Sequence, residues 1–188
     1  MLGRERREER REERHEGGPG PAAGGGENRY QMVQKMVSIG DDFWIENGRG
    51  EKVYKVDGKA LRVRSTLIFE DRAGQELCKI QEKMVRVRDT MDIEDANGQT
   101  VASVKKAMIT PLRERFTLNI QGGPDIEIQG NILDHEYTFE QGGRKVAETS
   151  KKWFRLRDSY GVEIEPGQND ILILAATVAI DMISNPAR

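Results

Sequence analysis

Along most of the chain, apolar and polar residues alternate with a period of two. Lys52-Val53-Tyr54-Lys55-Val56, Leu77-Cys78-Lys79-Ile80 and Thr117-Leu118-Asn119-Ile120 show it, as do Asp125-Ile126-Glu127-Ile128-Gln129 and Tyr137-Thr138-Phe139-Glu140. Successive side chains of an extended strand point to opposite faces, so this spacing predicts half-buried strands, apolar inward and charged outward. Val, Ile, Thr, Tyr and Phe dominate the inward positions, as the pleated surface favours.

The strands are punctuated by a repeat. Ile45-Glu46-Asn47-Gly48-Arg49-Gly50 matches Phe69-Glu70-Asp71-Arg72-Ala73-Gly74, and both match Ile93-Glu94-Asp95-Ala96-Asn97-Gly98. The shared pattern is apolar-Glu-Asn/Asp-x-x-Gly. Its closing glycines fall at 50, 74 and 98, and looser echoes follow at Gln121-Gly122-Gly123 and Gln141-Gly142-Gly143. An Asn or Asp side chain bonds back to the nearby backbone, and Gly takes the positive φ that closes a hairpin. Each unit is therefore one hairpin plus its link, which predicts about a dozen antiparallel strands.

The last segment breaks the alternation. Ile171 through Ile180 is apolar on every side rather than along one stripe, and Asp181-Met182-Ile183 follows. Pro166-Gly167 ends the preceding strand, Asn169 or Asp170 supplies a helix cap, and Asn185-Pro186 stops the element. The reading preferred is a helix over about 170–184, buried all round. A membrane anchor and a buried strand are the alternatives. The run falls short of the ~20 residues that a membrane span needs.

A helix buried on all sides beside a dozen amphipathic strands is accommodated if the sheet closes around it. Twelve strands about 4.8 Å apart and tilted about 40° enclose roughly 24 Å. A central helix needs roughly 20 Å, with its axis about 10 Å from the surrounding backbone. The expected fold class is thus mainly β: a closed antiparallel barrel of about 12 strands around one C-terminal apolar helix. Ala175, Ala176 and Ala179 would let strands approach one helix face, while Leu172, Leu174 and Ile180 fill the other directions.

Composition sets bounds on this picture. The chain has 188 residues, enough for one domain with a real core. Residues 1–27 form a charged, glycine-rich tail with six Arg and seven Glu, and residues 28–188 form the single domain. Arg and Glu stand at i,i+3 and i,i+4 spacing over 4–16, so a helix there would rest on surface ion pairs alone. The tail reads as a solvated arm, as an interaction arm, or as sequence upstream of a later natural start. Net charge is only -2 although 33% of residues are charged, which argues against a nucleic-acid binder. Cys78 is the one cysteine, so it forms no intramolecular disulfide and reads as a small buried hydrophobe. The N-terminus lacks an apolar signal region, and a cytoplasmic location, free or peripheral to a membrane, is the expectation.

Lys35-Met36-Val37-Ser38-Ile39-Gly40-Asp41-Asp42-Phe43, Val53-Tyr54-Lys55-Val56-Asp57-Gly58-Lys59-Ala60 and Pro166 through Ile183 resemble the LURP-one-related family of the tubby-like and scramblase-like superfamily. The resemblance runs from about Arg29 to Ile183. It implies a twelve-stranded barrel threaded by its C-terminal helix. It also implies a role near lipid, because tubby-like relatives bind membrane phosphoinositides and scramblase relatives act on membrane lipid. No stretch matches a tubby phosphoinositide pocket residue by residue.

Candidate chemistry lies in a second repeat. Lys59-Ala60-Leu61-Arg62-Val63-Arg64, Lys83-Met84-Val85-Arg86-Val87-Arg88 and Lys152-Trp153-Phe154-Arg155-Leu156-Arg157 share the pattern Lys-x-x-Arg-apolar-Arg. In extended chain each Arg pair points to one side, and pairs on neighbouring strands would make a cationic ridge. Arg grips phosphate in a bidentate fork, so the ligand-binding candidates for an anionic lipid headgroup are Arg62, Arg64, Arg86, Arg88, Arg155 and Arg157. Trp153 and Phe154 suit a membrane interface. An exterior barrel face paired with Glu82, Asp89 and Asp158 is the plain alternative, and a protein-partner surface a third. Asp41-Asp42 and Asp170 read as structural carboxylates rather than a cation site. Asp134-His135-Glu136 reads as a solvated turn, although flanking carboxylates would favour a charged histidine if they lay close. No catalytic residues, metal site or cofactor are expected; a non-enzymatic domain binding anionic lipid is the first reading and a protein-interaction scaffold the second.

Overall fold

The computed structural model describes residues 29–33, 43–58, 60–61, 64–83, 90–107, 114–131, 134–151 and 159–184. Among these residues, thirteen strands precede one helix: β1 (Arg29–Val33), β2 (Phe43–Asn47), β3 (Lys52–Asp57), β4 (Ala60–Leu61), β5 (Arg64–Asp71), β6 (Glu76–Glu82), β7 (Thr90–Asp95), β8 (Thr100–Lys106), β9 (Glu114–Ile120), β10 (Ile126–Asn131), β11 (Glu136–Gln141), β12 (Arg144–Ser150), β13 (Ser159–Ile164) and α1 (Asp170–Ser184). All pairings are antiparallel. The order runs β3-β2-β1-β13-β12-β11-β10-β9-β8-β7-β6-β5, and β3 pairs again with β5. That last pairing closes twelve strands into a barrel, with β4 a short extra ladder on β5.

The repeated turns work as their composition requires. Asn47 Oδ1 accepts the N–H groups of Arg49 and Glu51, both at 3.0 Å. Asp71 Oδ1 does the same for Ala73 and Gln75, and Asp95 Oδ1 for Asn97 and Gln99, at 2.8 to 2.9 Å. Gly50, Gly74 and Gly98 take φ of 75°, 79° and 79°, the left-handed region that an L side chain resists. In each repeat the register slips between the apolar residue and its Glu: Ile45/Glu46, Phe69/Glu70 and Ile93/Glu94. A left-handed glycine beside such a slip is the bulged three-residue hairpin. The backbone bonds, that from Gln99 foremost, hold the Asp95 carboxyl below the usual carboxylate range.

The helix fills the barrel. Every residue from Ile173 to Asp181 is buried, more than two turns with no solvent-facing stripe. Its closest backbone approaches are to β6, β7, β8 and β13, which the buried alanines 175, 176 and 179 permit. Around it pack the inward residues of the strands, among them Ile45, Val56, Phe69, Ile80, Ile93, Val104, Leu118, Ile128, Phe139 and Val162. A fully buried Leu, Ile, Val or Phe is stabilising by roughly 1.5–3 kcal/mol, so helix and barrel are each other's main source of stability. Thr177, the one hydroxyl in the middle of the helix, donates back to Ile173 O at 2.9 Å.

Asn169 caps the helix: its Oδ1 accepts Leu172 N–H at 3.1 Å. Asp170 has another task, since Tyr30 Oη on β1 donates to Asp170 Oδ2 at 2.5 Å. Cys78 is buried, and burial, with a smaller push from the Glu76 charge, raises its thiol to about 12. Asp41 and Asp42 lie outside the described residues.

One close approach sets a hard limit on sequence. Gly130 of β10 lies opposite Tyr137, and a Cβ placed there would stand 1.9 Å from Glu136 O and 2.7 Å from Tyr137 Cα. Backbone cannot yield as a flexible side chain does. Gly130→Ala is expected to destabilise the chain by about 3 kcal/mol, at the upper end of overpacking effects. Urea unfolding midpoints check this; an unchanged midpoint would contradict the approach.

Candidate functional site

The two barrel ends differ. One end carries the tight turns: 48–50, 72–75, 96–99, 121–125 and 142–143, together with the 165–169 connection into α1. The strand ends at the other end flank the remaining links, all but the four-residue 132–135 longer than these turns. β3 with β5, β6 with β7, β8 with β9, β10 with β11 and β12 with β13 all open there. Because α1 starts at the tight-turn end, its C-terminal turn reaches the link end.

Of the arginines singled out from the sequence, Arg62, Arg86, Arg88, Arg155 and Arg157 lie outside the described residues. Arg64 opens β5 in register with Leu61, and its side chain lies outside the description. Trp153, Phe154, Asp89 and Asp158 also fall outside it, while Glu82 is exposed. Two of the described cations at this end are engaged. Lys106 Nζ sits 2.9 Å from Glu114 Oε1 and over the Phe116 ring, and Lys83 Nζ is 3.8 Å from Asp92 Oδ1.

Inside the same end sits a polar cluster that the sequence reading missed. Asp181, on the last turn of α1, is 1% exposed. Tyr160 Oη of β13 donates to its Oδ2 at 2.7 Å. His135 Nδ1 lies 3.3 Å from its Oδ1, at ion-pair distance but without hydrogen-bond alignment. The imidazole stacks on the Tyr160 ring, with centroids 4.6 Å apart and planes 14° from parallel. Burial, and then the Asp181 charge, push the Tyr160 hydroxyl well above its ordinary range. Tyr137 is pushed up too, by burial first and then by Asp181 and Glu114. Both phenols therefore remain neutral.

The turn that delivers His135 is strained. His135 has φ of +47°, the only non-glycine with positive φ among the described residues. Thr149 of β12 holds it: Thr149 Oγ1 donates to His135 O at 2.7 Å and accepts Tyr137 N–H at 2.9 Å. The solvated turn expected from Asp134-His135-Glu136 is thus corrected. The segment is a turn, but His135 is only 5% exposed. Its carboxylate neighbour is Asp181, while Asp134 instead accepts from Asn131 Nδ2 at 2.7 Å. A signal was present. A single carboxylate within a run buried all round must find a partner in the core, and a chain with two histidines offers few.

The cluster's histidine is buried, as is the Cys78 thiol. No group of three or more His, Cys, Asp or Glu among the described residues could hold a metal ion. No helix among them is long and apolar enough to cross a membrane.

A twelve-stranded barrel closed around its C-terminal helix, with apolar-Glu-Asn/Asp turns, narrows the choice of family, and the family model described as LURP-one-related matches residues 28–181. The chain belongs to the LURP-one-related family. A solved protein from Arabidopsis thaliana shares the LURP-one-related chain's fold, with TM-score 0.60 at 14% identity over 84% of this chain and 91% of that one. At that identity the likeness extends to fold alone. Comparison with curated proteins gave no match.

Both ends of the LURP-one-related helix are pinned to a strand by a tyrosine-carboxylate bond, and the two pins sit in different surroundings. Tyr160→Phe would leave one oxygen of a sealed carboxylate without its donor. Hydrogen bonds to charged groups are worth about 1.5–3 kcal/mol, so a loss near the upper value is expected. Tyr30→Phe frees a half-buried Asp170 that water can reach, and about 1 kcal/mol is expected. Chemical unfolding of the two variants side by side checks the order; equal losses would contradict it.

Proposed function

We propose that this LURP-one-related domain is non-enzymatic and binds anionic phospholipid or phosphoinositide headgroups through Arg62, Arg64, Arg86, Arg88, Arg155 and Arg157. The observation that carries the reading is topological. The strands flanking the three Lys-x-x-Arg-apolar-Arg segments, β3 and β5, β6 and β7, β12 and β13, all open on the same end of the barrel. Strand ends far apart in sequence thereby meet at one rim. Around that rim the facing ends of β5 and β6 are direct neighbours, since the two strands pair. The chemistry agrees: a guanidinium fork matches phosphate oxygens, and aromatic residues such as Trp153 and Phe154 favour the headgroup layer.

The test is co-sedimentation of the full chain with vesicles of neutral lipid, with added phosphatidylserine, or with added phosphoinositide, across a salt series. A variant carrying Arg62, Arg64, Arg86 and Arg88 all changed to Ala runs beside it. Each basic residue near an anionic surface is worth about 1 kcal/mol, so removing four should weaken binding by roughly three orders of magnitude. Binding should also weaken steeply as salt rises. Absence of binding to every anionic vesicle at low salt would retire the lipid reading and leave a protein partner as the occupant of this rim.

A further inference from the structure

We propose that the hydroxyls of Thr66 and Thr90 are phosphate-contacting donors at the link end, so that this rim recognises a phosphate monoester rather than negative charge in general. The inference rests on the proposed lipid reading for the source of that phosphate.

The arginine repeat extends past its last arginine. Lys59-Ala60-Leu61-Arg62-Val63-Arg64 runs on to Ser65-Thr66, Lys83-Met84-Val85-Arg86-Val87-Arg88 to Asp89-Thr90, and Lys152-Trp153-Phe154-Arg155-Leu156-Arg157 to Asp158-Ser159. Each unit therefore closes on a hydroxyl two places after its second arginine. The described strands frame the three units alike. Ala60↔Ser65, Glu82↔Met91 and Ser150↔Gly161 are each centred on their unit, one step inside it, one step outside it and two steps outside it. In the second unit the first and last residues meet, with Lys83 N–H donating to Thr90 O at 3.3 Å.

The closing hydroxyls also share a face. Leu67 and Phe69, Met91 and Ile93, and Tyr160 and Val162 belong to the core, so the alternating positions Thr66, Thr90 and Ser159 stand on the outer wall. Outer-wall hydroxyls are ordinarily wet, yet these residues are only 5%, 5% and 6% exposed. Ser159 Oγ accepts from Gln31 Nε2 at 3.3 Å. Thr66 Oγ1 and Thr90 Oγ1 are buried with no hydrogen-bond partner in the chain. A buried hydroxyl without a partner is unfavourable, and the same position of two units carries that defect. A bond supplied from outside the chain accounts for both.

The setting of Thr90 gives the sign of the ligand's charge. Across the sheet it lies opposite Lys105 of β8 on one side and Lys83, just past β6, on the other, and both lysines are exposed. The nearest carboxylate on its own strand, Asp92, lies two places farther from the rim, accepts Ser103 Oγ at 2.6 Å and stands 3.8 Å from Lys83 Nζ. Arg64 precedes Thr66 by two places on β5, and Arg88 precedes Thr90 by two in the chain. A hydroxyl among cations donates to an anion. A phosphate monoester offers nearly two negative charges and three acceptor oxygens, whereas a phosphodiester carries one charge. Thr66 lies opposite Gln81, and Gln81 opposite Asp92, so β6 and two residues of strand separate the hydroxyls, roughly 12 Å. Each hydroxyl therefore serves its own phosphate.

Co-sedimentation of the full chain with phosphatidylserine vesicles and with phosphoinositide vesicles of equal total charge tests this. The variants are Thr66→Val and Thr90→Val, which keep the size and remove the hydroxyl, with Thr66→Ser and Thr90→Ser restoring it. Each Val variant should bind phosphoinositide vesicles about tenfold more weakly, as loss of one hydrogen bond to a charged group implies. Its phosphatidylserine binding should stay level, and each Ser variant should match the wild type. Because neither hydroxyl has a partner in the chain, the Val variants should melt no lower than the wild type. Equal losses on the two lipids or a lowered melting temperature would overturn the proposal. So would phosphoinositide binding that neither Val variant weakens, and that result would leave the lipid reading intact. A soluble inositol polyphosphate separates the two readings in the other direction. If no vesicle is bound but this compound raises the melting temperature of the wild type and not of the Val variants, the hydroxyl sites stand and the lipid reading falls. If it raises none and no vesicle is bound, both fall.

Discussion

The structure turns on one constraint: a helix with no polar face has to be surrounded. Most helices in β-rich domains lie against one side of a sheet and keep a solvent stripe. α1 has none from Ile173 to Asp181, so a single sheet face could not cover it. Closing the sheet through the β3–β5 pairing solves two problems together. It buries the helix all round, and it removes the free edges that a twelve-strand open sheet would expose. The converse also holds. An empty barrel of this girth would have to fill its lumen with side chains alone, and the inward residues, many of them Val, Ile and Ala, are too small to meet across it.

Polar chemistry inside such a core has to be justified group by group. Thr177 bonds its own helix, Thr149 bonds the turn beneath it, and Asp181 gathers Tyr160 and His135. An apolar residue at 181 would pack with less cost, since buried ion pairs seldom repay their desolvation. What Asp181 supplies instead is position. Hydrophobic packing lets a helix slide or turn within a smooth lumen, whereas Tyr30–Asp170 at one end and Tyr160–Asp181 at the other fix its depth and rotation. Directional bonds at the two ends and non-directional burial between them divide the work of specifying one arrangement.

Much of this was legible in the chain. Period-two alternation and the Asn/Asp-x-x-Gly turns gave the hairpins because both are local: Asp71 bonds residues two and four places on, and Gly74 closes the same turn. The helix limits followed from local signals too, with Asn169 as the cap and an apolar run that admits no stripe. The polar cluster was not legible, because its members, at 135, 149, 160 and 181, meet only once the barrel has closed. Reading Asp134-His135-Glu136 from its immediate neighbours suggested solvent, while the deciding neighbour sat on the helix. The two-residue strand β4 escaped for a different reason, being too short to show any period. The arginine pattern was the reverse case: three segments visible as a motif, of which only the flanking strands are described.

That difference between the ends bears on where function can sit. At the tight-turn end, the Oδ1 atoms of Asn47, Asp71 and Asp95 are already occupied by their own turns, and the hairpin connections run from two to five residues. Changing a residue there disturbs a turn before it creates a contact. Apart from the four-residue 132–135 turn, the link end has longer connections between paired strands, free to differ in length and composition without altering the ladder. Yet it is not simply loose, because His135, Tyr160 and Asp181 anchor it to the helix from within. A rim built this way can carry variable, charged surface outside while its inner wall stays fixed. The barrel thus makes one end rigid by turn chemistry and braces the other from within, through the Tyr160–Asp181 hydrogen bond and the His135–Tyr160 stack.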